Sequence, residues 1–299
     1  MTPETIGPYR ILETLREGGV SSVYKAVGPS GAAVALKVFS LQLPVPPAVI
    51  QLSHPNILQV VATGQEGDRV FLATELFAGT SLERLLEERR LTIPQSIGVL
   101  RAVCRGLVFA HARGFVHGHL SPRHVLVSPD VSAVKIADFG PSELDVAAEL
   151  DTTLRTGAYA LGSMHYLAPE QIGRRGAPPD PRSDIYAAGA IFVELLTGRT
   201  PVGKLALPSH VNAELPPLTD IVVLRCLERD PEQRYPSAAA LLADLDRLEE
   251  AMRVRLLSHL RGISRLLGPP GSTRRTVLLA ALALLLVALA VAGYLVAAR

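Results

Sequence analysis

Four histidines lie close together in the middle of the sequence, and their side chains are well suited to chemistry. They are His111, His117, His119 and His124, and Asp138 follows them. An imidazole with its ordinary pKa of about 6.5 can accept a proton from a hydroxyl group near neutral pH. Two imidazoles and one carboxylate also form a ligand set for transition metals. The residue types alone therefore leave three interpretations open: a proton acceptor, a metal triad of His119, His124 and Asp138, and histidines that only pack or face solvent.

Six short motifs occur in order along the same chain. They are Val34-Ala-Leu-Lys37, His54-Pro-Asn-Ile57, Ala137-Asp-Phe-Gly140, Ala168-Pro-Glu170, Ser183-Asp-Ile-Tyr-Ala-Ala-Gly189 and Asp230-Pro-x-x-Arg234. Their order and spacing resemble a Ser/Thr protein kinase domain, especially that of bacterial membrane-anchored receptor-like kinases, over residues 9–248. The resemblance implies an α+β, two-lobed protein-kinase-like fold with a small β-rich N-lobe and a larger helical C-lobe. It also implies phosphoryl transfer from ATP with Mg²⁺, if the required side chains are present.

The nucleotide-binding positions are only partly retained. The resemblance implies that nucleotide contacts come from Gly18, Val23, Ala35, Lys37 and Asp138. The glycine-rich loop has Arg16 and Ser21 where the family has its first and third glycines. Glycine matters there because backbone amides have to approach phosphate without an intervening Cβ. We therefore expect ATP binding to be weak or absent.

The glutamate that usually pairs with the lysine at position 37 has no counterpart in this sequence. Residues 38–65 contain no Asp or Glu, and prolines stand at positions 44, 46 and 47. Proline inside a helix costs about 3 kcal/mol, so we expect the helix of this segment to be shortened or lost. The segment cannot supply a carboxylate to Lys37.

The catalytic loop departs most from the family pattern. It reads His117-Gly-His119-Leu-Ser121-Pro-Arg-His124 where the resemblance implies H-R-D-x-K-P-x-N. His119 thus occupies the position of the base-like Asp, and His124 that of the metal-binding Asn. Asp138 remains as the expected Mg²⁺ carboxylate, and one carboxylate with substrate phosphates can hold Mg²⁺. We assign no catalytic residue, and we retain Asp138 as a candidate Mg²⁺ ligand and His124 as a candidate transition-metal ligand.

The residues that hold the helical lobe together in the family are present. By resemblance, Glu170 pairs with Arg234, and Asp184 braces the backbone of the catalytic loop. The main hypothesis is therefore a membrane-anchored pseudokinase that scaffolds or regulates an active kinase or another signalling protein. The alternative is an active, atypical Ser/Thr protein kinase that transfers the ATP γ-phosphate to protein hydroxyls, with His119 as proton acceptor.

A transmembrane helix is predicted at the C-terminal end of the sequence. Residues 276–298 carry no charge, and a helix of that length spans about 34 Å, enough to cross a bilayer core. Arg274 and Arg275 precede it, so the positive-inside rule places residues 1–275 in the cytoplasm and the C-terminus on the far side. We expect a single-pass protein with a kinase-like domain at 9–248, a basic juxtamembrane helix and linker at 249–275, and the span at 276–298.

The juxtamembrane segment has two interpretations. Apolar and arginine residues alternate at helical spacing between Met252 and Leu267. Such a helix can lie on anionic membrane lipid, or it can pack on the domain or on a second copy in a homodimer. The residues 268–272, Gly-Pro-Pro-Gly-Ser, are expected to end it.

Composition excludes several other classes of protein. The whole chain has 30 basic and 28 acidic residues, which argues against a nucleic-acid partner. Cys104 and Cys226 lie in apolar runs and are expected to be reduced core residues. Residues 1–8 lack the apolar stretch of a signal peptide.

The elements that have to position the motifs follow from periodicity and turn residues. Strands are predicted at Tyr9–Leu15, Ser22–Val27, Ala33–Phe39 and Arg69–Glu75. Helices are predicted from a Thr80–Glu83 capping box to Glu88, from Ile93 to a stop at Gly114, at Ile185–Thr197 before Gly198, and at Ser237–Leu248. Strands first and helices afterwards are the pattern of a β-rich lobe joined to a helical one.

Overall fold

A computed structural model describes residues 5–18, 21–40, 47–139, 164–172, 180–201 and 207–267. The chain divides into two compact units, Met1–Leu248 and Glu249–Arg299. The predicted membrane span at 276–298 and the predicted helix stop at 268–272 lie outside the described residues.

A six-stranded antiparallel sheet forms the first lobe. Its strands are β1 (Thr5–Ile6), β2 (Tyr9–Arg16), β3 (Ser21–Val27), β4 (Ala33–Phe39), β5 (Val60–Glu66) and β6 (Arg69–Glu75), in the order β1-β2-β3-β4-β6-β5. The four predicted strands are confirmed, two of them one residue longer than predicted. Strand β5 was not predicted, because its residues Val-Val-Ala-Thr-Gly-Gln-Glu lack an alternating apolar pattern. Its Gly64 is required by packing, since a Cβ there would lie 2.3 Å from the Phe71 ring.

The segment between β4 and β5 lacks a regular α-helix in its described part. Its described part begins with a five-residue 3-10 helix, Pro47–Gln51. Val49 and Leu52 are each 1% exposed, so this short turn still covers the core. The prediction of a shortened helix is confirmed for the described residues.

The second lobe combines helices with a three-stranded sheet. The described α-helices that begin in this lobe are α1 (Leu82–Glu88), α2 (Ile93–His111), α3 (Pro181–Thr197), α4 (Pro208–Val211), α5 (Pro217–Cys226) and α6 (Ala238–Leu267), which continues into the second unit. The sheet has the order β7 (Thr80–Ser81), β8 (Val125–Val127) and β9 (Val134–Ile136). The predicted architecture of a β-rich lobe followed by a helical lobe is thus confirmed.

The start of α1 differs from the prediction. Thr80 pairs with Val127 in the small sheet and is not the N-cap. Ser81 is the N-cap, and its hydroxyl accepts a hydrogen bond from the backbone N–H of Arg84 at 3.2 Å. Ser and Thr both cap helices, so the sequence alone did not show which of the adjacent residues Thr80 and Ser81 is the N-cap.

Helix α2 begins with a capping box that can be tested. The Thr92 hydroxyl accepts from the Gln95 backbone N–H, and the Gln95 side chain accepts from the Thr92 backbone N–H at 3.0 Å. We expect Thr92→Ala to lower the free energy of unfolding by about 1 kcal/mol, because one helix-end donor loses its partner. Equilibrium urea unfolding measures the change. Thr92→Ser keeps the hydroxyl and serves as the control; an equal loss in both variants would contradict the role of the cap.

The interior helices are apolar where the sequence predicted it. Helix α2 buries Ile97, Leu100, Val103, Leu107 and Ala110, and α3 is buried over most of its length. Gly198 ends α3 in the left-handed region at φ 63°, a conformation that glycine adopts without a Cβ penalty. Cys104 and Cys226 are buried free thiols, and burial raises the pKa of Cys104 to about 12. The expectation of reduced core cysteines is confirmed.

Helix α6 is longer than predicted. The sequence suggested one helix ending at Leu248 and another starting at Met252, whereas the structure has a single helix over Ala238–Leu267. Within the first unit it buries Leu241, Leu245 and Leu248. Within the second unit, Val254 and Leu257 are exposed.

One described helix, α2, has the length and apolar character of a membrane-crossing segment. More than half of its most apolar stretch is buried inside the protein. That burial identifies α2 as a core helix of the second lobe.

Candidate functional site

The catalytic-loop region is held in place by one buried carboxylate. Asp184, 1% exposed on α3, accepts hydrogen bonds at 2.8 Å from the backbone N–H groups of His117 and Gly118 and from Nε2 of His111. The predicted bracing role of Asp184 is therefore confirmed. The loop then passes through a 3-10 helix, Pro122–His124, into strand β8.

A second framework interaction was also predicted correctly. The two terminal nitrogens of the Arg234 guanidinium each donate to one carboxylate oxygen of Glu170 at 2.7 Å, in a bidentate pair. Arg234 has no exposed side-chain surface, and it also donates to three backbone carbonyls. The pKa of Glu170 is held below its usual range: burial alone would raise it, but the hydrogen bonds that the carboxylate accepts and the charge of Arg234 together outweigh that effect.

Lys37 has a partner that the sequence did not reveal. Strand β4 places its ammonium 2.9 Å from Oδ1 of Asp138 in a mostly buried ion pair. Burial by itself raises the pKa of Asp138, but the charge and hydrogen bond of Lys37, together with the nearby His124 and His119, keep that pKa far below its usual range. Asp138 sits at φ 64°, in the left-handed region that few residues other than glycine adopt. The candidate phosphate-binding cation and the candidate Mg²⁺ ligand therefore neutralise each other.

Three of the four histidines form a cluster beside this ion pair. The ring centroids of His117 and His119 are 4.4 Å apart, those of His119 and His124 are 4.8 Å apart, and those of His117 and His124 are 5.4 Å apart. Nε2 of His124 lies 3.9 Å from Oδ2 of Asp138. The metal-triad interpretation places His119 and His124 near Asp138, and this distance confirms the proximity for His124. His111 instead belongs to the framework, through its hydrogen bond to Asp184.

The histidines do not face solvent, which corrects one of the sequence-based interpretations. His117 is 4% exposed and His119 is 9% exposed, and the His124 side chain is also largely covered. Burial lowers the pKa of all three imidazoles, that of His124 to about 3. They are thus neutral near pH 7. These side chains are buried because the His117 ring packs against Phe139 and against the other two imidazoles. Residue type alone does not predict such packing.

The remaining candidate nucleotide contacts lie in or beside the first sheet. Val23 on β3 is the register partner of Lys37, and Ala35 on β4 pairs with Thr74 of β6. A Cβ at Gly18 would lie 2.7 Å from the Ser21 carbonyl oxygen, so this glycine is already required by the turn itself. Its presence is therefore not independent evidence for phosphate binding.

The donor set of the cleft does not suit ATP with Mg²⁺ as the family uses them. Mg²⁺ prefers oxygen ligands in near-octahedral geometry, whereas the described cleft offers one carboxylate, already paired with Lys37, and imidazole nitrogens. No residue of the 38–65 segment competes for Lys37, since that segment contains no acid. Among the described residues, the cleft offers Lys37 and Asp138, while His119 and His124 stand at the positions where the family pattern has its base-like Asp and its metal-binding Asn.

Sequence reasoning also missed a contact that fixes the loop backbone. The Gln171 side-chain amide donates to the Gly118 carbonyl oxygen at 2.6 Å. Gly118 stands where the family has an Arg, and its φ of 75° lies in the left-handed region. The sequence offered one signal for this contact. Gln171 directly follows the Ala168-Pro-Glu170 motif, whose Glu170 was already predicted to pair with Arg234 in the same lobe.

Comparisons with known proteins agree with the fold and the motifs. The family model described as protein kinase domain matches residues 9–245. Serine/threonine-protein kinase PknL of Mycobacterium tuberculosis is 35% identical, covering 82% of this chain and 66% of that protein. Serine/threonine-protein kinase PknB of Mycolicibacterium smegmatis is 29% identical, covering 90% and 48%. The chain thus spans less than two thirds of the length of these curated relatives.

A solved structure shares the architecture. The crystal structure of the Mycobacterium tuberculosis PknI kinase domain matches with a TM-score of 0.65 at 24% identity, covering 82% of this chain and 97% of that one. This likeness concerns the fold: a β-rich lobe of antiparallel strands and a helical lobe.

Proposed function

We propose, for a chain that belongs to the protein kinase family, that its kinase fold serves binding rather than phosphoryl transfer. In this proposal the protein is a membrane-anchored pseudokinase with weak or no ATP binding. It scaffolds or regulates an active kinase or another signalling protein. The observation that carries the proposal is the buried, neutral imidazole pair His119 and His124, at the positions where the family resemblance implies an Asp and an Asn.

The chemistry of phosphoryl transfer explains why these replacements matter. The family uses a carboxylate to accept the substrate hydroxyl proton and an amide oxygen to hold a metal ion. An imidazole whose pKa is far below 7 is a weak proton acceptor, and an imidazole nitrogen is a poor ligand for Mg²⁺. The Lys37–Asp138 ion pair further weakens the site, because it occupies both remaining charged groups.

The retained framework supports a binding function. The Glu170–Arg234 pair and the Asp184 hydrogen bonds keep the helical lobe in its family arrangement. A fold kept without its reactive groups still presents the surfaces that kinases use to contact other proteins. Tethering to a membrane raises the effective concentration of bound partners there.

The second candidate function is an active, atypical Ser/Thr protein kinase. The comparisons give this candidate more support than they give the first, because the relatives are named as serine/threonine-protein kinases. Asp138 and Lys37 are both present in the cleft. In this function ATP and Mg²⁺ are the cofactors, and Asp138 is the metal ligand.

Membrane attachment and partners belong to the same proposal. The uncharged stretch at 276–298 and the preceding Arg274 and Arg275 support a single span with the kinase-like domain in the cytoplasm. The basic helix from 252 supports contact with anionic lipid or with a second copy of the chain. Fractionation of cells followed by alkaline carbonate extraction tests the span: the full chain is expected in the membrane pellet, and its release by carbonate would contradict it.

Nucleotide binding separates the two candidate functions. The full-length chain in detergent is heated with ATP, with and without Mg²⁺, and its midpoint of unfolding is recorded. The pseudokinase proposal expects no shift, or a shift that Mg²⁺ does not change. A Mg²⁺-dependent rise that both Lys37→Ala and Asp138→Ala abolish would favour the active kinase. Lys25→Ala is the matched control, because Lys25 is a lysine of the neighbouring strand β3 whose ion pair with Glu13 is exposed.

A further inference from the structure

We propose that His117, His119, His124 and Asp138 form a binding site for a divalent transition-metal ion, with Zn²⁺ as the representative ion. One ligand nitrogen from each of the three histidines lies within 4.8 Å of the others. The carboxylate of Asp138 is next to this group, with Oδ2 3.9 Å from Nε2 of His124. The inference does not rest on the absence of phosphoryl transfer, since it uses only the geometry of these four side chains.

The hydrogen bonds of His117 and His124 determine which ring nitrogen of each residue has a lone pair that is available to a metal ion. Nδ1 of His124 lies 2.9 Å from the His119 carbonyl oxygen, which can only accept, so Nδ1 carries the hydrogen and Nε2 the lone pair. Nε2 of His117 lies 2.9 Å from the Ala137 carbonyl oxygen, so His117 has its lone pair on Nδ1. Metal-bound histidines are usually held in this way, with the second ring N–H donated to a backbone carbonyl.

A buried acceptor without a partner gives independent evidence for a missing ligand. Among the described residues, Nδ1 of His117 is fully buried and has no hydrogen-bond partner. Buried polar atoms are normally satisfied, and each exception calls for a physical explanation. The centroid of the His117 ring lies 4.4 Å from that of His119 and 5.4 Å from that of His124, so the free lone pair belongs to a cluster of neutral imidazoles. A cation between the rings satisfies this lone pair.

Metal binding requires the cluster to contract. Zinc–nitrogen bonds of about 2.0–2.1 Å in tetrahedral geometry place ligand nitrogens about 3.4 Å apart. The three histidine ligand atoms lie within 4.8 Å of one another, so the bound ion draws the imidazoles closer together. Oδ1 of Asp138 is bonded to Lys37, which leaves Oδ2 as the fourth ligand.

The ligand types select the class of metal. Imidazole nitrogens suit Zn²⁺, Cu²⁺, Ni²⁺ and Co²⁺, whereas Mg²⁺ and Ca²⁺ prefer sites made of oxygen. Three nitrogens and one carboxylate oxygen form a closed tetrahedral set, as in structural zinc sites. The bound ion would tie the catalytic loop to the segment that carries Asp138.

Metal titration of the full-length chain tests the proposal. The chain is purified in detergent on a tag without histidine and stripped with a chelator. Co²⁺ is then added as a spectroscopic probe, and Zn²⁺ affinity is measured by competition with a chromophoric chelator. We expect one ion per chain, visible Co²⁺ absorption typical of tetrahedral sites, displacement of Co²⁺ by Zn²⁺, and no competition from Mg²⁺.

Variants of the cluster identify the site. We expect His119→Asn and His124→Asn to weaken Zn²⁺ binding by about 10- to 100-fold or more, since even outer-shell changes have effects of this size. His210→Asn is the matched control, because His210 is an exposed histidine on α4. Circular dichroism of each variant confirms that it is folded, and the readout does not depend on ATP.

Two results would overturn the site. One is an absence of saturable Co²⁺ absorption in the stripped chain. The other is Zn²⁺ affinity that His119→Asn and His124→Asn leave unchanged, or that His210→Asn lowers equally. Phosphotransfer by the protein would contradict the proposed function but not this inference, so the two can fail separately.

Discussion

Replacing Arg234 by alanine is expected to lower the free energy of unfolding by about 3–5 kcal/mol. The guanidinium is fully buried and forms a bidentate pair with Glu170, so its removal leaves a partly buried carboxylate without its charge partner. It also removes the hydrogen bonds that Arg234 donates to the carbonyl oxygens of residues 182, 228 and 229. Equilibrium urea unfolding of the full chain in detergent, followed by circular dichroism, measures the loss.

Two further variants make this prediction specific. Arg234→Lys keeps the charge but not the planar fork, so its loss is expected to be intermediate. Arg253→Ala removes an arginine that is 70% exposed and paired with Glu250, and it is expected to change stability by less than about 1 kcal/mol. A loss at Arg234 no larger than that at Arg253 would show that the buried pair is not a structural anchor.

Replacing Asp184 by alanine is expected to destabilise the protein by about 3 kcal/mol or more. Three donors, the backbone N–H groups of His117 and Gly118 and Nε2 of His111, lose their acceptor in the protein interior. Each buried group left without a partner costs about 1–3 kcal/mol. The same urea unfolding assay measures the change.

A surface aspartate provides the control for this second prediction. Asp246 pairs with Arg101 at 2.7 Å but is half exposed, so Asp246→Ala is expected to cost less than about 1 kcal/mol. Asp184→Asn retains a single acceptor oxygen and is expected to fall between alanine and the native residue. If Asp184→Ala and Asp246→Ala have equal effects, the carboxylate does not brace the loop.

Sequence predicted those parts of the fold that are marked by a local residue pattern or by residues at motif positions of the family. The strands of the first lobe follow from short strand-like runs bounded by turn residues. Helices α2 and α3 follow from their apolar residues with glycine stops at Gly114 and Gly198. The Glu170–Arg234 pair was predictable because both residues stand at motif positions of the family. Strand β5 was missed because its polar residues and Gly64 conceal the pattern.

The cleft was predicted less completely, for a physical reason. Sequence identified Lys37, His119, His124 and Asp138 as candidates, but pairing and burial depend on packing between segments far apart in the chain. The absence of an acid between 38 and 65 showed that Lys37 lacks its usual partner, and the structure shows that Asp138 takes that role. Burial of the imidazoles likewise arises from ring contacts that no residue type specifies.

The proposed function requires that the kinase fold has kept its framework and does not catalyse phosphoryl transfer. The most direct measurement is transfer of labelled phosphate from ATP, with Mg²⁺ present, by the full-length chain to itself and to a general acceptor protein. We expect incorporation by the native chain to be no higher than that by Asp138→Ala. Incorporation by the native chain that Lys37→Ala and Asp138→Ala abolish, and that Lys25→Ala leaves intact, would contradict it.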